Sequence, residues 1–441
     1  MSGESMRSLD LADETHRQLT RMRATETAKE QLAQEQSGQT PYRTGRRTVQ
    51  DVMVQAKEEL AVRHEYGVVG FRTGIPDLDG ALGATLQPGR VVGIAADTKM
   101  GKTVLAGNLA VNFAAQGAPL LVGSFEDNPT DTMFRWASSL ASTNVGVIRD
   151  GFRTRSGEKM AIPADFDDAT DKLAALGIEW IDRAGTIEQL AYEMRDWVAT
   201  NARVQEHGYG IVILDQLSHI HPSQAAIFRQ RFPGYPPPPT NGTRRDMMVW
   251  QVQLMTVVAK RLNVLIIIVM QLTLSHKAKH EKPSERDLRD AKEAAFEMDA
   301  LLIPHRPEKL RNEARGQGEP EFIDNDGQRT WILAPICRQV GAFEVEVTWD
   351  GEHQRFLPLG ASSRMPWEAP QGVDPVAIDG MRKLAENRAR WAERAALRLQ
   401  VANGGQVDAL PEVKDMPRLS SPASSAPLSQ LIEEHRPDGK F

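Results

Sequence analysis

The residues with the clearest capacity for chemistry lie in Ala96-Asp-Thr-Lys-Met-Gly101-Lys102-Thr103. An apolar run, Val91–Ala95, precedes them, and a helical pattern, Lys102–Gln116, follows. Strand, loop and helix in that order form the setting of a Walker A phosphate loop. There, backbone N–H groups at a helix start face phosphate oxygens, and the helix dipole favours their charge. Lys102 would reach the β- and γ-phosphates, the Thr103 hydroxyl would hold Mg²⁺, and Met100, Gly101 and Val104 would line the cradle. Ala96 stands where the motif has its first glycine. A chance Gly-Lys-Thr in a turn is the plain alternative, and the flanking strand and helix argue against it.

Two carboxylates have the placement that such a loop requires. Ile211-Val-Ile-Leu-Asp215 is an apolar run ending in aspartate about one hundred residues further on, the Walker B form, and Asp215 would complete the Mg²⁺ shell. Glu126, in Gly123-Ser-Phe-Glu-Asp127, ends the strand after the phosphate loop. Ligands of parallel sheets sit at the carboxyl ends of strands, so Glu126 can serve as general base for an attacking water. Its spacing alone serves a solvated loop carboxylate equally well.

Other groups carry less. Gln271 ends the apolar run Val264–Met270 and reads equally as a polar strand terminator. His276 and His280 have ligand-like spacing without a third ligand and read as a solvated cationic face, and His219 and His221 as structural. Arg229–Arg245 is a proline-rich basic loop, where Arg229, Arg231, Arg244 or Arg245 could meet phosphates or simply face water.

The elements that must position these residues alternate from Phe71 to Pro358. Strands are predicted at Val91–Ala95, Pro119–Phe125, Ile178–Ile181, Ile211–Leu214, Val264–Met270 and Ala300–Ile303. Helices at Lys102–Gln116, Thr186–Val204 and Met247–Leu262 separate most of them. This pattern predicts an α/β fold, a mostly parallel sheet with helices on both faces. Thr330–Ile336 and Phe343–Thr348 add a late β-ribbon. The predicted organisation is a disordered or loosely helical segment 1–47, a linker or docking helix 48–66, the α/β domain 67–358, a helical extension 359–402 and a flexible tail 403–441. In the docking helix, Thr48 with Asp51 resembles a capping box.

The 441 residues carry a net charge of −6, so nucleic-acid contact has to come from a local cluster of cations. A single cysteine, Cys337, excludes a disulfide framework and a multi-cysteine zinc site. The N-terminus lacks an apolar signal region, and the most apolar run is too short to span a bilayer. A cytoplasmic location, in a bacterial cell or a phage-infected host, is the expectation.

Several stretches together resemble the motor of DnaB-type replicative helicases. They are Phe71-Arg-Thr-Gly-Ile-Pro-Asp-Leu-Asp79, Leu86-Gln-Pro-Gly89 and Ala95–Thr103, then Ser124-Phe-Glu126, Asp215-Gln-Leu-Ser, Ala259–Leu272, and Asp287-Leu-Arg289-Asp-Ala-Lys292 through Asp299. The order is collinear over roughly 70–358, and an alanine at Ala96 fits the family. The resemblance implies a RecA-like P-loop NTPase fold, ATP with Mg²⁺, and a hexamer around single-stranded or forked DNA, with a separate primase and helicase loader. It also implies catalysis by Glu126 and Lys102, γ-phosphate sensing by Gln271, and DNA backbone contact by Arg289 and Lys292, with Arg244 and Arg245 as further candidates. Arg338 would be an arginine finger acting on the neighbouring subunit.

Two departures stand out. The family's globular N-terminal domain is replaced by about fifty polar residues, and its ribbon Lys-x-Arg reads Ile336-Cys337-Arg338 here. Alternative readings are a RecA-like recombination or repair ATPase, or a DNA-binding, loader-like scaffold with reduced ATPase.

Overall fold

The structure, a computed structural model, describes residues 48–67, 70–97, 99–154, 156–181, 185–221, 228, 237–239, 242–271, 282–283, 292–307, 329–361 and 375–402. Segment 1–47, the tail 403–441, and the candidate residues Arg229, Arg231, His276, His280 and Arg289 lie outside the described residues.

One nine-stranded sheet organises the chain: β1 (Val91–Ala96), β2 (Leu120–Ser124), β3 (Glu179–Ile181), β4 (Gly210–Asp215), β5 (Val264–Gln271), β6 (Ala300–His305), β7 (Thr330–Cys337), β8 (Phe343–Asp350) and β9 (Arg355–Pro358). The spatial order is β3-β2-β4-β5-β1-β6-β7-β8-β9. The first six pair in parallel, and β7, β8 and β9 extend the sheet antiparallel. Parallel strands need crossovers, and the helices supply them. In chain order these are α1 (Val49–Tyr66), α2 (Pro76–Leu82), α3 (Lys102–Ala115), α4 (Pro129–Ala141), α5 (Val145–Arg149), α6 (Ala164–Ala175), α7 (Ile187–Thr200), α8 (Ala202–His207), α9 (Arg244–Leu262), α10 (Lys292–Phe296) and α11 (Pro375–Ala402).

Alternation along the buried strands produces two cores, one on each face. Ile94, Val122, Ile213 and Ile267 face one way and pack with Leu105, Leu109 and Phe113 of α3. Leu121, Val212, Ile266 and Ile268 face the other way, onto Leu190, Met194 and Trp197 of α7 and Leu254, Met255 and Val258 of α9. The continuous apolar runs of the sequence are therefore strands covered on both sides.

The helix predicted over Thr186–Val204 is two. Asn201 has ψ 118, outside the helical range, and its side chain caps α8 by accepting from the Val204 N–H at 2.9 Å. The helix predicted from Met247 starts at Arg244, because Thr243 and Asp246 form a reciprocal capping box. Arg244 and Arg245 therefore sit in its first turn rather than in a loop. At the start of α1 the Thr48 carbonyl accepts from the Val52 N–H at 3.2 Å.

Candidate nucleotide site

Parallel pairing brings the ends of β1, β2, β4 and β5 to one edge. Ser124 pairs in register with Asp215, and Ala96 with Gln271. Asp97 follows β1 there, and Met100 and Gly101 lead into α3. The turn uses Lys99 at φ 62 and Gly101 at φ 100, and the Gly101 carbonyl accepts from Leu105 N at 2.8 Å. Gly101 is fixed by space as well as by φ. A Cβ there would lie 3.0 Å from Phe356 Cζ and 3.3 Å from Trp349 Cζ3.

The chemically active side chains converge on the start of α3. Lys102 Nζ lies 3.7 Å from Glu126 Oε2. Gln216 Nε2 donates to the same Glu126 oxygen. The Thr103 side chain hydrogen-bonds the Asp215 carboxyl. Burial pushes Asp215 up to about 6, and the nearby Asp127 and Glu126 carboxylates push the same way; Lys102 and the Thr103 hydrogen bond oppose them. Among the described residues, Asp215 Oδ1 is buried with no hydrogen-bond partner. A buried carboxylate oxygen with no donor, beside a hydroxyl and a lysine, suits a hard divalent cation that takes oxygen ligands. The donor set therefore fits Mg²⁺.

Sequence reasoning passed over four contributors here. Gln216 was visible only as the residue after a strand-end aspartate; its left-handed φ of 58 turns it toward Glu126. Asp127 pairs with Arg135 at 2.5 Å and so holds the turn after β2. Trp349 and Phe356 reach the phosphate loop from the β8–β9 hairpin, which no local motif announces.

The remaining predicted residues lie elsewhere. Because β7 runs antiparallel to β6, Cys337 pairs with Ala300 at the amino edge of the sheet. Arg338, exposed on the turn that follows, is therefore a strand's length, roughly 20 Å, from its own phosphate loop. Its guanidinium donates to the Phe296 carbonyl, and its backbone N–H to the Asp299 carbonyl at 2.8 Å. Glu344 and Glu346, possible partners by spacing, pair instead with Lys282 and Arg329. Arg245 forms an ion pair with Glu293 of α10. That pair sets Arg244, Arg245 and Lys292 on adjoining elements, with the Lys292 ammonium 5.5 Å from the Phe296 ring centre.

A RecA-like sheet with Lys102, Thr103, Glu126 and Asp215 gathered at one edge defines the class, the P-loop NTPase fold. The chain belongs to the DnaB-like helicase family: the model of the DnaB-like helicase C terminal domain matches residues 70–357. It is 24% identical over 323 residues to the replicative DNA helicase DnaB of Buchnera aphidicola subsp. Schizaphis graminum, covering 69% of this chain and 59% of that protein. The corresponding protein of Haemophilus influenzae is 26% identical over 314 residues, covering 70% of this chain and 58% of that one. The chain thus spans rather more than half the length of these relatives.

Among solved structures, one described as an ATPase domain superposes with a TM-score of 0.57 at 19% identity, covering 71% of this chain and 99% of that one. A DnaB-like replicative helicase, described with its interactions with primase, gives 0.54 at 18%, covering 80% and 76%. Both show the fold. Among the described residues no helix is long and apolar enough to cross a membrane.

Proposed function

We propose that this chain is the motor of a replicative DNA helicase. It would bind ATP with Mg²⁺, assemble as a hexameric ring on single-stranded DNA and unwind forked duplexes. The observation that carries this reading is the convergence of Lys102, Thr103, Glu126, Asp215 and Gln271 on one sheet edge in a chain of this family.

Phosphoryl transfer to water needs little covalent help from a protein, so these residues act by position and charge. The backbone of Met100, Gly101, Lys102, Thr103 and Val104 cradles the phosphates, and the Lys102 ammonium lies against their outer oxygens. Thr103 and Asp215 would hold Mg²⁺, which would supply charge neutralisation for the phosphates. Glu126 takes the proton of the attacking water, and Gln216, donating to it, keeps its carboxylate turned toward Lys102. Gln271, paired in register with Ala96, would sense the γ-phosphate. A further cation for the open side of the site comes from Arg338 of an adjoining copy, since within one chain it lies at the wrong edge.

DNA contact falls to Arg244, Arg245, Lys292 and, by family resemblance, Arg289. A separate primase and a helicase loader are the expected partners in the cell.

The test is ATP-dependent unwinding of a forked duplex beside a strand-exchange assay. Strand exchange without unwinding would point to a recombination ATPase, and DNA binding without ATPase to a scaffold.

A further inference from the structure

One side chain on the phosphate-loop helix has no part in these roles. Asn108 lies six residues after Lys102 on α3, roughly 9 Å along the helix. Its carboxamide meets the end strand of the sheet. Nδ2 donates to the Gln354 carbonyl at 3.3 Å, and Oδ1 accepts from the Phe356 N–H at 2.8 Å. We propose that Asn108 is a positioning residue for phosphate binding: it seats β9 on α3, so that the Phe356 ring walls the Gly101 turn. This rests on reading Met100–Thr103 as the phosphate cradle.

β9 is the end strand of the sheet, with β8 as its neighbour. The outer edge of an end strand carries N–H and C=O groups that no further strand satisfies. Gln354 and Phe356 are two residues apart, so the carbonyl of one and the N–H of the other point the same way. A side-chain amide offers a donor and an acceptor as a peptide group does, and that of Asn108 stands in for the next strand. The hairpin turn is held separately. The Glu352 carbonyl accepts from Val145 N at 2.9 Å, and buried Arg355 donates to Asp350 at 3.0 Å and to the Ser139 carbonyl at 3.2 Å. Those bonds fix the turn against α4 and α5. Asn108 adds the tie to α3, the helix that begins at Lys102.

The consequence falls on Gly101. At φ 100 it occupies backbone space that glycine enters easily and leaves as easily. A cradle with that freedom binds more weakly, because ordering it opposes association. The Phe356 ring removes part of the freedom. It is buried, Trp349 packs against it with ring centres 4.8 Å apart, and its Cζ lies 3.0 Å from where a Gly101 Cβ would stand. Without the Asn108 carboxamide the Phe356 N–H loses its acceptor, and the ring can draw back from the turn. Because the ring touches the turn that meets phosphates, the effect should be the same for any ligand with a polyphosphate chain.

Calorimetric titration of the full chain with Mg²⁺-ATP and, separately, with Mg²⁺ and inorganic tripolyphosphate tests this, beside steady-state ATPase. Asn108→Ala should weaken both ligands alike, roughly 2- to 10-fold, the range of one lost hydrogen bond. KM for ATP should rise by a similar factor while kcat stays within about twofold, since Lys102, Glu126 and Asp215 are untouched. Phe356→Leu, which keeps both hydrogen bonds and shortens the wall, should give the same equal loss. In the double variant the loss should match that of a single change rather than the product of the two. Parent-like affinities in both single variants, whatever their melting temperatures, would reduce the contact to fold stability and overturn the role. So would a loss confined to ATP, a fall in kcat at unchanged KM, or losses that multiply. A parent chain that binds neither ligand would remove the phosphate-loop reading, and the positioning role with it.

Discussion

Lys102 and Glu126 touch each other yet serve different steps, so their losses should differ. Lys102→Ala removes the charge that meets the phosphates and should abolish both tight ATP binding and turnover. Glu126→Gln keeps shape and polarity, so equilibrium binding should persist while single-turnover hydrolysis falls roughly 10²- to 10⁴-fold. Parent-like turnover in Glu126→Gln would exclude it as the base. Asp215 adds a pH signature. Its folded-state value of about 6 lies above the ordinary 3.8. Below pH 4 the carboxyl is neutral in both the folded and the unfolded chain and costs nothing differential. Between pH 4 and 6 the unfolded chain ionises first, so stability declines, and above 6 the full cost of the buried charge is present. Asp215→Asn should therefore stabilise the chain without metal by an amount that grows from pH 5 to 7 and then levels off, on the order of 1–3 kcal/mol. Urea melts at pH 5, 7 and 8 measure it, and a flat difference would contradict the burial argument. Lys102, Thr103, Asp215 and Glu126 were legible because short motifs fix them beside strand ends. Gln216 was not, since nothing local marks which way a side chain turns after a strand.

The ribbon β7–β8 was legible as an element, but its role depends on the direction in which it runs. Antiparallel pairing with β6 carries Arg338 to the edge away from its own phosphates. A guanidinium there can serve nucleotide only on another copy, so the effect should complement in trans. Arg338→Ala and Lys102→Ala chains, each deficient alone, should regain part of the ATPase when mixed, because some interfaces then join an intact Arg338 to an intact Lys102. Loss of a finger typically costs roughly 10³- to 10⁵-fold in turnover while binding survives. Mixtures with no recovery, or full activity in Arg338→Ala alone, would remove the assignment. At the α9–α10 junction the charges are unequal. Arg245 is neutralised in part by Glu293, whereas Arg244 and Lys292 flank that pair. Lys292→Ala and Arg244→Ala should each make the slope of log K against log salt shallower by roughly 0.7 to 1, equally for all DNA sequences. Unchanged slopes would move the DNA path elsewhere. The break at Asn201 and the short β9 escaped the sequence reading for separate local reasons. Asparagine is tolerated in a helical pattern until its cap is seen, and four residues are too few for a periodicity.

At the scale of the molecule, α1 and α11 form a pair outside the matched family region. Trp391 Nε1 donates to Glu58 at 2.6 Å, and Arg388 donates to the Pro88 carbonyl at 2.8 Å, so α11 binds both α1 and the amino edge of the sheet. Val62 of α1 is buried, while Val49, Val52, Met53 and Leu60 stay 45–80% exposed on its outer side. The inner side of α1 is covered by α11, through a pairing that no motif encodes, and the apolar outer row is left uncovered. The uncovered row bears on assembly. A ring closes only if each copy presents matching surfaces to two neighbours, and an exposed apolar row on a helix leading into the motor is suited to one of them. Each large aliphatic side chain buried there would contribute roughly 1.5–3 kcal/mol, repeated at every interface. Val52→Glu combined with Leu60→Glu places two charges in that row without touching the α11 face or the nucleotide edge. Sedimentation should then show the proposed hexamer of the parent giving way to smaller species. Binding of tripolyphosphate to the separated chains should persist, and ATPase should fall, because Arg338 no longer meets a neighbour's phosphates. A double variant that sediments as the parent does would take α1 out of the interface and leave its apolar row to another partner.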